Sequence, residues 1–418
     1  MDGKIAVIGA GVIGCAVACA LAREGHRVVL IDRAEPGCGG ASFGNVGHVA
    51  AELVQPLPSP QLLFGFWREL VAFDGPLDVP LRRLGAFAPW AWRFARAAFR
   101  RESNTHRLAP LVRPAAATFD AMLREIGRLD LLRRNGHVQV WFGRDAQRKA
   151  DAEAHEMRRW DIATATLERD VLAAIARAAG QTDGVGLLFP DSAHVLDPLE
   201  VSRAFAHAAF TRGATFEHTS VRALQPAHDE VDVRTDAGVR RFAAAVVCAG
   251  PWSAPLLAPF AVRAPLESAH GYHVELPGHA AHIDAPIVYV DSKVLVTPMQ
   301  ARLRASSFME FSGLDSKPDA RKREILRRKL HGLGYRDDGN ESAWRGARPV
   351  LPDYLPGIGR APGPARLFYA VGHQHIGLTL APVTAGLIAD LVAGRMPRHD
   401  LAAFDLRRFG TAKGQPPT

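Results

Sequence analysis

Cysteine is scarce in this 418-residue sequence: Cys15, Cys19, Cys38 and Cys248 are the full set, and none forms a C-x-x-C pair. A disulfide scaffold is therefore not expected, and a reduced, cytoplasmic chain fits better. No uninterrupted apolar stretch reaches the roughly 20 residues of a spanning helix. Any membrane contact is expected to be peripheral, on the inner face of the cytoplasmic membrane. From Met1 the chain runs straight into an expected strand, without a basic n-region, an apolar h-region and a small-residue cleavage site, so secretion is not expected. Repeats and low-complexity segments are missing, apart from a short polar tail after Gly410. The formal net charge is +8, yet Arg100-Arg101, Arg133-Arg134, Arg158-Arg159 and Arg327-Arg328-Lys329 are scattered at helical spacing, as on solvated helix faces. On that pattern a basic protein that binds nucleic acid is the weaker reading, and small carboxylates are the anionic partners the charge favours.

What is present is an ordinary globular balance, 48% hydrophobic and 22% charged. The chain is too long for one core, since cores stop growing near roughly 250–300 residues, and two domains are expected. Residues 4–8 and 27–31 are short apolar runs flanking a small-residue helical stretch at 12–22, which reads as a βαβ unit of a parallel sheet covered on both faces. From 55 to 134 the pattern changes to aromatic-rich helical pieces broken at Pro56, Pro58, Pro60, Pro76, Pro80, Pro89, Pro110 and Pro114. Within it, Arg93, Arg96 and Arg100 share one face of an expected helix at 84–101, and Phe87, Trp90, Ala91, Phe94 and Ala98 line the other. That suits a helix packed on the core or one lying at a bilayer surface.

Helical spacing returns at 198–212, and strands are expected at 215–224, 230–235, 239–242 and 244–248. Further strands are expected at 273–276, 287–290, 294–298 and 367–371, with helices at 320–333 and 382–393. The expected division is a discontinuous nucleotide-binding domain of residues 1–50, 150–253 and 345–418, and a second domain of residues 51–149 and 254–344.

Gly9-Ala10-Gly11-Val12-Ile13-Gly14 fits G-x-G-x-x-G after a strand and at the opening of a helix. Gly9 permits the tight turn, Gly11 lets the backbone approach a pyrophosphate, and Gly14 lets helix and strand pack closely. The helix N-terminus then offers free N–H groups to the phosphates. Asp32, 18 residues after Gly14, is placed to accept hydrogen bonds from ribose hydroxyls, which disfavours NADP. FAD and NAD share this ADP half. Because the chain leaves the nucleotide domain within about 50 residues and returns much later, the discontinuity favours FAD over a run of close βα units.

The segments Gly40-Ala41-Ser42-Phe43-Gly44-Asn45-Val46-Gly47-His48 and Gly372-His373-Gln374-His375-Ile376-Gly377-Leu378-Thr379-Leu380-Ala381-Pro382 resemble the flavin-contacting segments of the D-amino acid oxidase superfamily. The resemblance spans nearly the whole chain. More narrowly, His270-Gly271-Tyr272-His273, Leu303-Arg304-Ala305-Ser306 and Trp344-Arg345-Gly346-Ala347-Arg348-Pro349 resemble bacterial D-amino acid dehydrogenases and D-hydroxyproline dehydrogenases. The resemblance implies an α/β fold: a Rossmann-like FAD-binding domain with a discontinuous α+β substrate-binding domain containing a mixed or antiparallel sheet. It also implies that Val12 and Ile13 lie at the pyrophosphate, Asp32 and Arg33 at the adenosine, and Val221 beside the adenine. Ser42, Asn45, Val46 and Gly47 would lie near the isoalloxazine, and Gly250 joins the cofactor site. Gly372, His373, Gly377, Leu378 and Thr379 would bring backbone N–H groups to the pyrimidine edge of the flavin, where donors stabilise the anionic reduced ring.

By the same resemblance Arg348, in Gly346-Ala347-Arg348-Pro349, grips the substrate carboxylate bidentately. Tyr272 would donate a second hydrogen bond to it, and His375, and more weakly His48, would face the substrate. His373 and His375 carry no third ligand by sequence, so no metal is expected there. No residue that attaches flavin covalently in the superfamily is evident, so the FAD is expected to be non-covalent. The implied reaction is dehydrogenation of the Cα–N bond of a small D-amino or cyclic imino acid, D-proline or hydroxy-D-proline favoured, with hydride passing to flavin N5. A sarcosine- or glycine-type amine oxidase of the same superfamily is the alternative, and the electron acceptor is a quinone, an electron-transfer protein or oxygen.

Overall fold

The computed structural model describes residues 3–71, 77–279, 283–336 and 339–412. Pro76 and the end of the polar tail lie outside the described residues. The continuous apolar runs become Ile5–Ile8 and Val28–Asp32, the centre of a six-stranded sheet. Its order is Thr215–His218, Val28–Asp32, Ile5–Ile8, Ala244–Val247, Leu367–Val371 and Gly357–Arg360. The first five are parallel and the last is antiparallel. Both faces are covered. The helices Val12–Arg23, Pro198–Thr211 and Gly377–Val392 share one core with residues of Ile5–Ile8 and Val28–Asp32, while Phe242, Leu257 and Phe260 pack on the opposite face.

The expected strand at 215–224 is two strands. Thr215–His218 ends at the edge of the parallel sheet, and Val221–Ala227 starts a separate antiparallel sheet with Glu230–Thr235 and Gly238–Phe242. The expected helix at 382–393 starts earlier, at Gly377, with Pro382 inside it. The helix is buried along nearly its whole length, so packing offsets the hydrogen bond that the proline removes.

A nine-stranded mixed sheet forms the second layer, with Ser342–Val350, Glu267–Pro277, Arg302–Glu310 and Val294–Met299 in succession. Ile287–Tyr289 follows and pairs in parallel with His137–Trp141. The domain limits differ from those expected at two places. Val185–Phe189 and Ala165–Thr166 belong to this sheet, although 150–253 was assigned to the nucleotide domain. Helices Arg101–Val112 and Ala115–Glu125, assigned to the second domain, send Leu108, Leu111, Phe119 and Leu123 into the core of the nucleotide domain. Apolar periodicity marks which face of an element is buried, not which neighbour buries it. In helix Leu84–Ala98, Phe87 and Trp90 pack with Phe311 and Tyr354, so the aromatic face is core.

Candidate functional site

Three features build the nucleotide turn. Gly9 has φ +101°, and a Cβ there would lie 2.5 Å from the Cys248 carbonyl oxygen. A Cβ on Gly14 would lie 1.8 Å from the Gly9 oxygen, so helix and strand approach as closely as they do only because both are glycine. Asp32 is held at the strand end by Ala10 N at 2.6 Å and Ala34 N at 3.0 Å, both donating to its carboxylate. Beside it the Arg33 guanidinium lies 4.2 Å over the Trp252 ring. Val12 N donates to Ser42 Oγ at 3.0 Å, which ties the second glycine-rich segment to the helix N-terminus.

A cavity of about 910 Å³ opens from this turn, outside the carboxyl ends of the parallel strands, where ligands bind in doubly wound sheets. It runs past Asp32, Arg33, Val221 and Trp252 to Arg348 and His375. The donor set and the glycine cradle fit FAD. Of the residues expected to contact it, all but Gly14 and Gly47 line the cavity. Gly14 stays behind as a packing residue. Gly47, at φ +77°, serves a turn in which a Cβ would meet the Val195 oxygen at 2.7 Å.

Residues 43–45 are clamped from the second sheet. His273 Nδ1 donates to the Gly44 oxygen at 3.0 Å, and burial, helped by Arg304, pushes this imidazole down to about 4, so the neutral tautomer does so. Trp344 stacks on His273 with centroids 5.2 Å apart. Its ring fills the space where a side chain on Gly44 or Gly346 would be. Arg304 donates to the Asn45 oxygen and is paired with Glu275, whose carboxyl burial would raise but Arg304 and Arg302 pull down to about 2. The sequence pattern contained Trp344 and Arg304 without a role; the signal for Trp344 is a large ring matched to Gly346 two residues along its own strand and to Gly44 of the turn it covers.

At the far end, Arg348 points into the cavity and donates to the Phe308 oxygen at 3.1 Å. Among the described residues no ion pair joins it to a carboxylate. Burial draws its pKa below the ordinary arginine value, with Tyr354 opposing, yet a guanidinium stays charged. Phe308 and Gln374 beside it hold left-handed φ of 71° and 49°, strain of the kind that clusters at working sites. His375 lines the same end and is pushed down to about 4 by burial, with Arg348 and His48 adding, so it is neutral at neutral pH. His373 Nε2 instead meets Thr384 Oγ1 at 3.1 Å.

Tyr272 does not join them. On the paired strands Glu267–Pro277 and Ser342–Val350, Arg348 faces Ala269, Gly346 faces Gly271 and Trp344 faces His273, which sets these on one side of the sheet. Tyr272, paired with Arg345, lies on the other because side chains alternate. There its hydroxyl donates to Glu310 Oε2 at 2.5 Å and accepts from Asp319 N at 3.0 Å. It anchors helix Ala320–Gly332 and is a structural residue. His48, expected to face the substrate, borders the cavity with its Nε2 3.3 Å from Glu52.

Residues 4–391 match the FAD dependent oxidoreductase family, DAO. The chain is 30% identical to a D-amino-acid oxidase of Bradyrhizobium diazoefficiens over 97% of its length and 98% of that protein. It is 31% identical to D-amino acid dehydrogenase 2 of Ralstonia nicotianae over 97% of its length and 100% of that protein. Among solved structures, a glycine oxidase from Geobacillus kaustophilus has a TM-score of 0.77 at 22% identity and covers 97% of the chain and 98% of its own. With the family spanning the strands, helices and cavity just described, the chain belongs to the DAO family and is an FAD-dependent oxidoreductase of the amino acid oxidase and dehydrogenase type.

Proposed function

We propose that the enzyme oxidises the Cα–N bond of a small D-amino acid or cyclic imino acid, with D-proline or hydroxy-D-proline favoured. The observation that carries this reading is the half-buried, carboxylate-free guanidinium of Arg348 facing the cavity beside a neutral imidazole. A substrate carboxylate supplies the missing partner, and the bidentate fork sets the angle of the α-carbon. His375, uncharged, offers a neutral ring nitrogen for a hydrogen bond with the substrate amine. Phe308, Met309, Leu53 and Leu57 contribute apolar lining to the cavity. FAD, when bound, supplies the acceptor for the α-hydrogen and its electron pair. Gly9, Gly11, Val12 and Ile13 would hold its pyrophosphate, Asp32 its ribose, and Ser42, Asn45, Val46 and the 372–379 segment its ring. The test is an anaerobic screen of amino and imino acids watching the bleaching of bound flavin. D-proline or hydroxy-D-proline is expected to bleach it faster than the L-isomer, and equal or reversed preference refutes the reading. Heat denaturation of the same sample should leave the FAD in solution; colour kept on the chain would show a covalent link.

Peripheral membrane docking belongs to the same reading. The core takes the Phe87 and Trp90 face of helix Leu84–Ala98, but Leu81, Leu84, Trp92 and Phe99 in and beside it are exposed, with Phe64 exposed on Pro60–Val71. Arg82, Arg96 and Arg100 are exposed in the same segment. Aromatic groups flanked by arginines suit an anionic lipid surface. Cosedimentation with phosphatidylglycerol vesicles should exceed that with phosphatidylcholine, and Trp92→Asp should cut it about tenfold; a wild-type protein that stays in the supernatant with both defeats the idea.

A further inference from the structure

Behind the cavity wall, two segments distant in sequence bring three ligating side chains together. His48 and Glu52 stand four residues apart, His48 in the short strand His48–Val49, and His137 opens the strand His137–Trp141. They are 8%, 4% and 1% exposed. His48 Nε2 and His137 Nδ1 each lie 3.3 Å from the same oxygen, Glu52 Oε1. Neither approach has hydrogen-bond geometry, so these three atoms are buried with no hydrogen-bond partner. The other carboxylate oxygen is not orphaned: Ser192 Oγ donates to Oε2 at 2.5 Å and fixes the carboxylate plane.

From this geometry we infer that His48, Glu52 and His137 form a binding site for a zinc-class divalent metal ion. Two imidazoles and one carboxylate are a ligand set that zinc takes in tetrahedral sites. Metal–ligand bonds of about 2.0–2.1 Å place tetrahedral ligand atoms about 3.3–3.4 Å from one another, which is the spacing of both histidine nitrogens from the carboxylate oxygen. Imidazole nitrogen selects against calcium and magnesium, which take oxygen ligands. The Ser192 hydroxyl supplies the outer hydrogen bond that orients a ligating carboxylate. His48 borders the large cavity, which gives an ion a way in, and three protein ligands leave a fourth position for water. The ion ties the segment after the 40–47 turn to the second sheet. It takes no part in the electron transfer proposed above, so the site stands or falls apart from the substrate assignment.

The experiment uses the untagged holoenzyme, stripped with a chelator while its flavin absorbance is monitored. After equilibration with Zn²⁺ and desalting, about one ion per chain should remain, with none retained from Ca²⁺. Co²⁺ should give visible bands of a four-coordinate nitrogen and oxygen site, at longer wavelength than the flavin. Zn²⁺ should raise the thermal midpoint of wild type and fail to raise that of His137→Phe, which should also lose the retained ion. A flavin-replete wild type that retains no more Zn²⁺ than Ca²⁺, or a folded H137F that retains as much as wild type, overturns the site. If H137F does not fold, the wild-type stoichiometry together with the Co²⁺ spectrum decides: an octahedral, weak spectrum also overturns it.

Discussion

Replacing Arg348 with Met is expected to leave the fold and the flavin in place while kcat/KM falls by roughly two to four orders of magnitude. The side chain is the charged group at that end of the cavity without a carboxylate partner among the described residues, and its single recorded hydrogen bond goes to a main-chain oxygen. Removing it therefore breaks no ion pair of the folded chain. What is lost is the desolvated, charge-assisted pair with substrate, worth several kcal/mol, at tenfold in rate for each 1.36 kcal/mol. Arg348→Lys should recover part of the loss, because an ammonium keeps the charge and lacks the planar fork. Steady-state kinetics with the best substrate of the screen, beside the flavin absorbance of each variant, provide the check. Normal turnover by R348M would place the carboxylate anchor elsewhere.

Gly271→Ala should do nearly as much damage from outside the chemistry. Gly271 sits on the strand face that carries Arg348, and a Cβ there would lie 2.2 Å from Nη2 and 2.5 Å from Nη1 of that residue. Its φ is not left-handed, so alanine suits the strand, and what must move is the end of a flexible side chain rather than backbone. The fold is spared while the guanidinium is displaced. A shift of about 1 Å in a positioning group can cost on the order of 100-fold, and a fall of that size in kcat/KM is expected with unchanged FAD binding and a thermal midpoint close to wild type. On the R348M background the same substitution should cost almost nothing more, because both changes remove one interaction. Additive losses, or a wild-type rate for G271A, would show that the glycine does not seat the arginine.

The Gly9 to Gly14 turn, Asp32 and the parallel core were legible from the residues alone. Each is a local device: a glycine conformation, a helix N-terminus and a run of Val and Ile whose meaning depends on neighbours a few residues away. Arg348 was legible only through the resemblance, since an arginine before a proline carries no signal of its own. Tyr272 was misread because it stands next to Gly271, and a strand sends adjacent side chains to opposite faces. The faces themselves were not readable until the pairing of Glu267–Pro277 with Ser342–Val350 fixed which side meets the cavity.

Domain limits escaped for a related reason. The apolar stripe of Ala115–Glu125 says that it is buried, but its partners in the nucleotide core lie far along the chain. The meeting of His48 and Glu52 with His137 leaves no periodicity at all, because the segments are brought together by separate sheets. What the sequence determined by itself was the nucleotide-binding turn and the kind of sheet it serves. Which side chains face the cavity, and which buried groups lie together, were decided by strand register and long-range packing, which no short window of residues encodes.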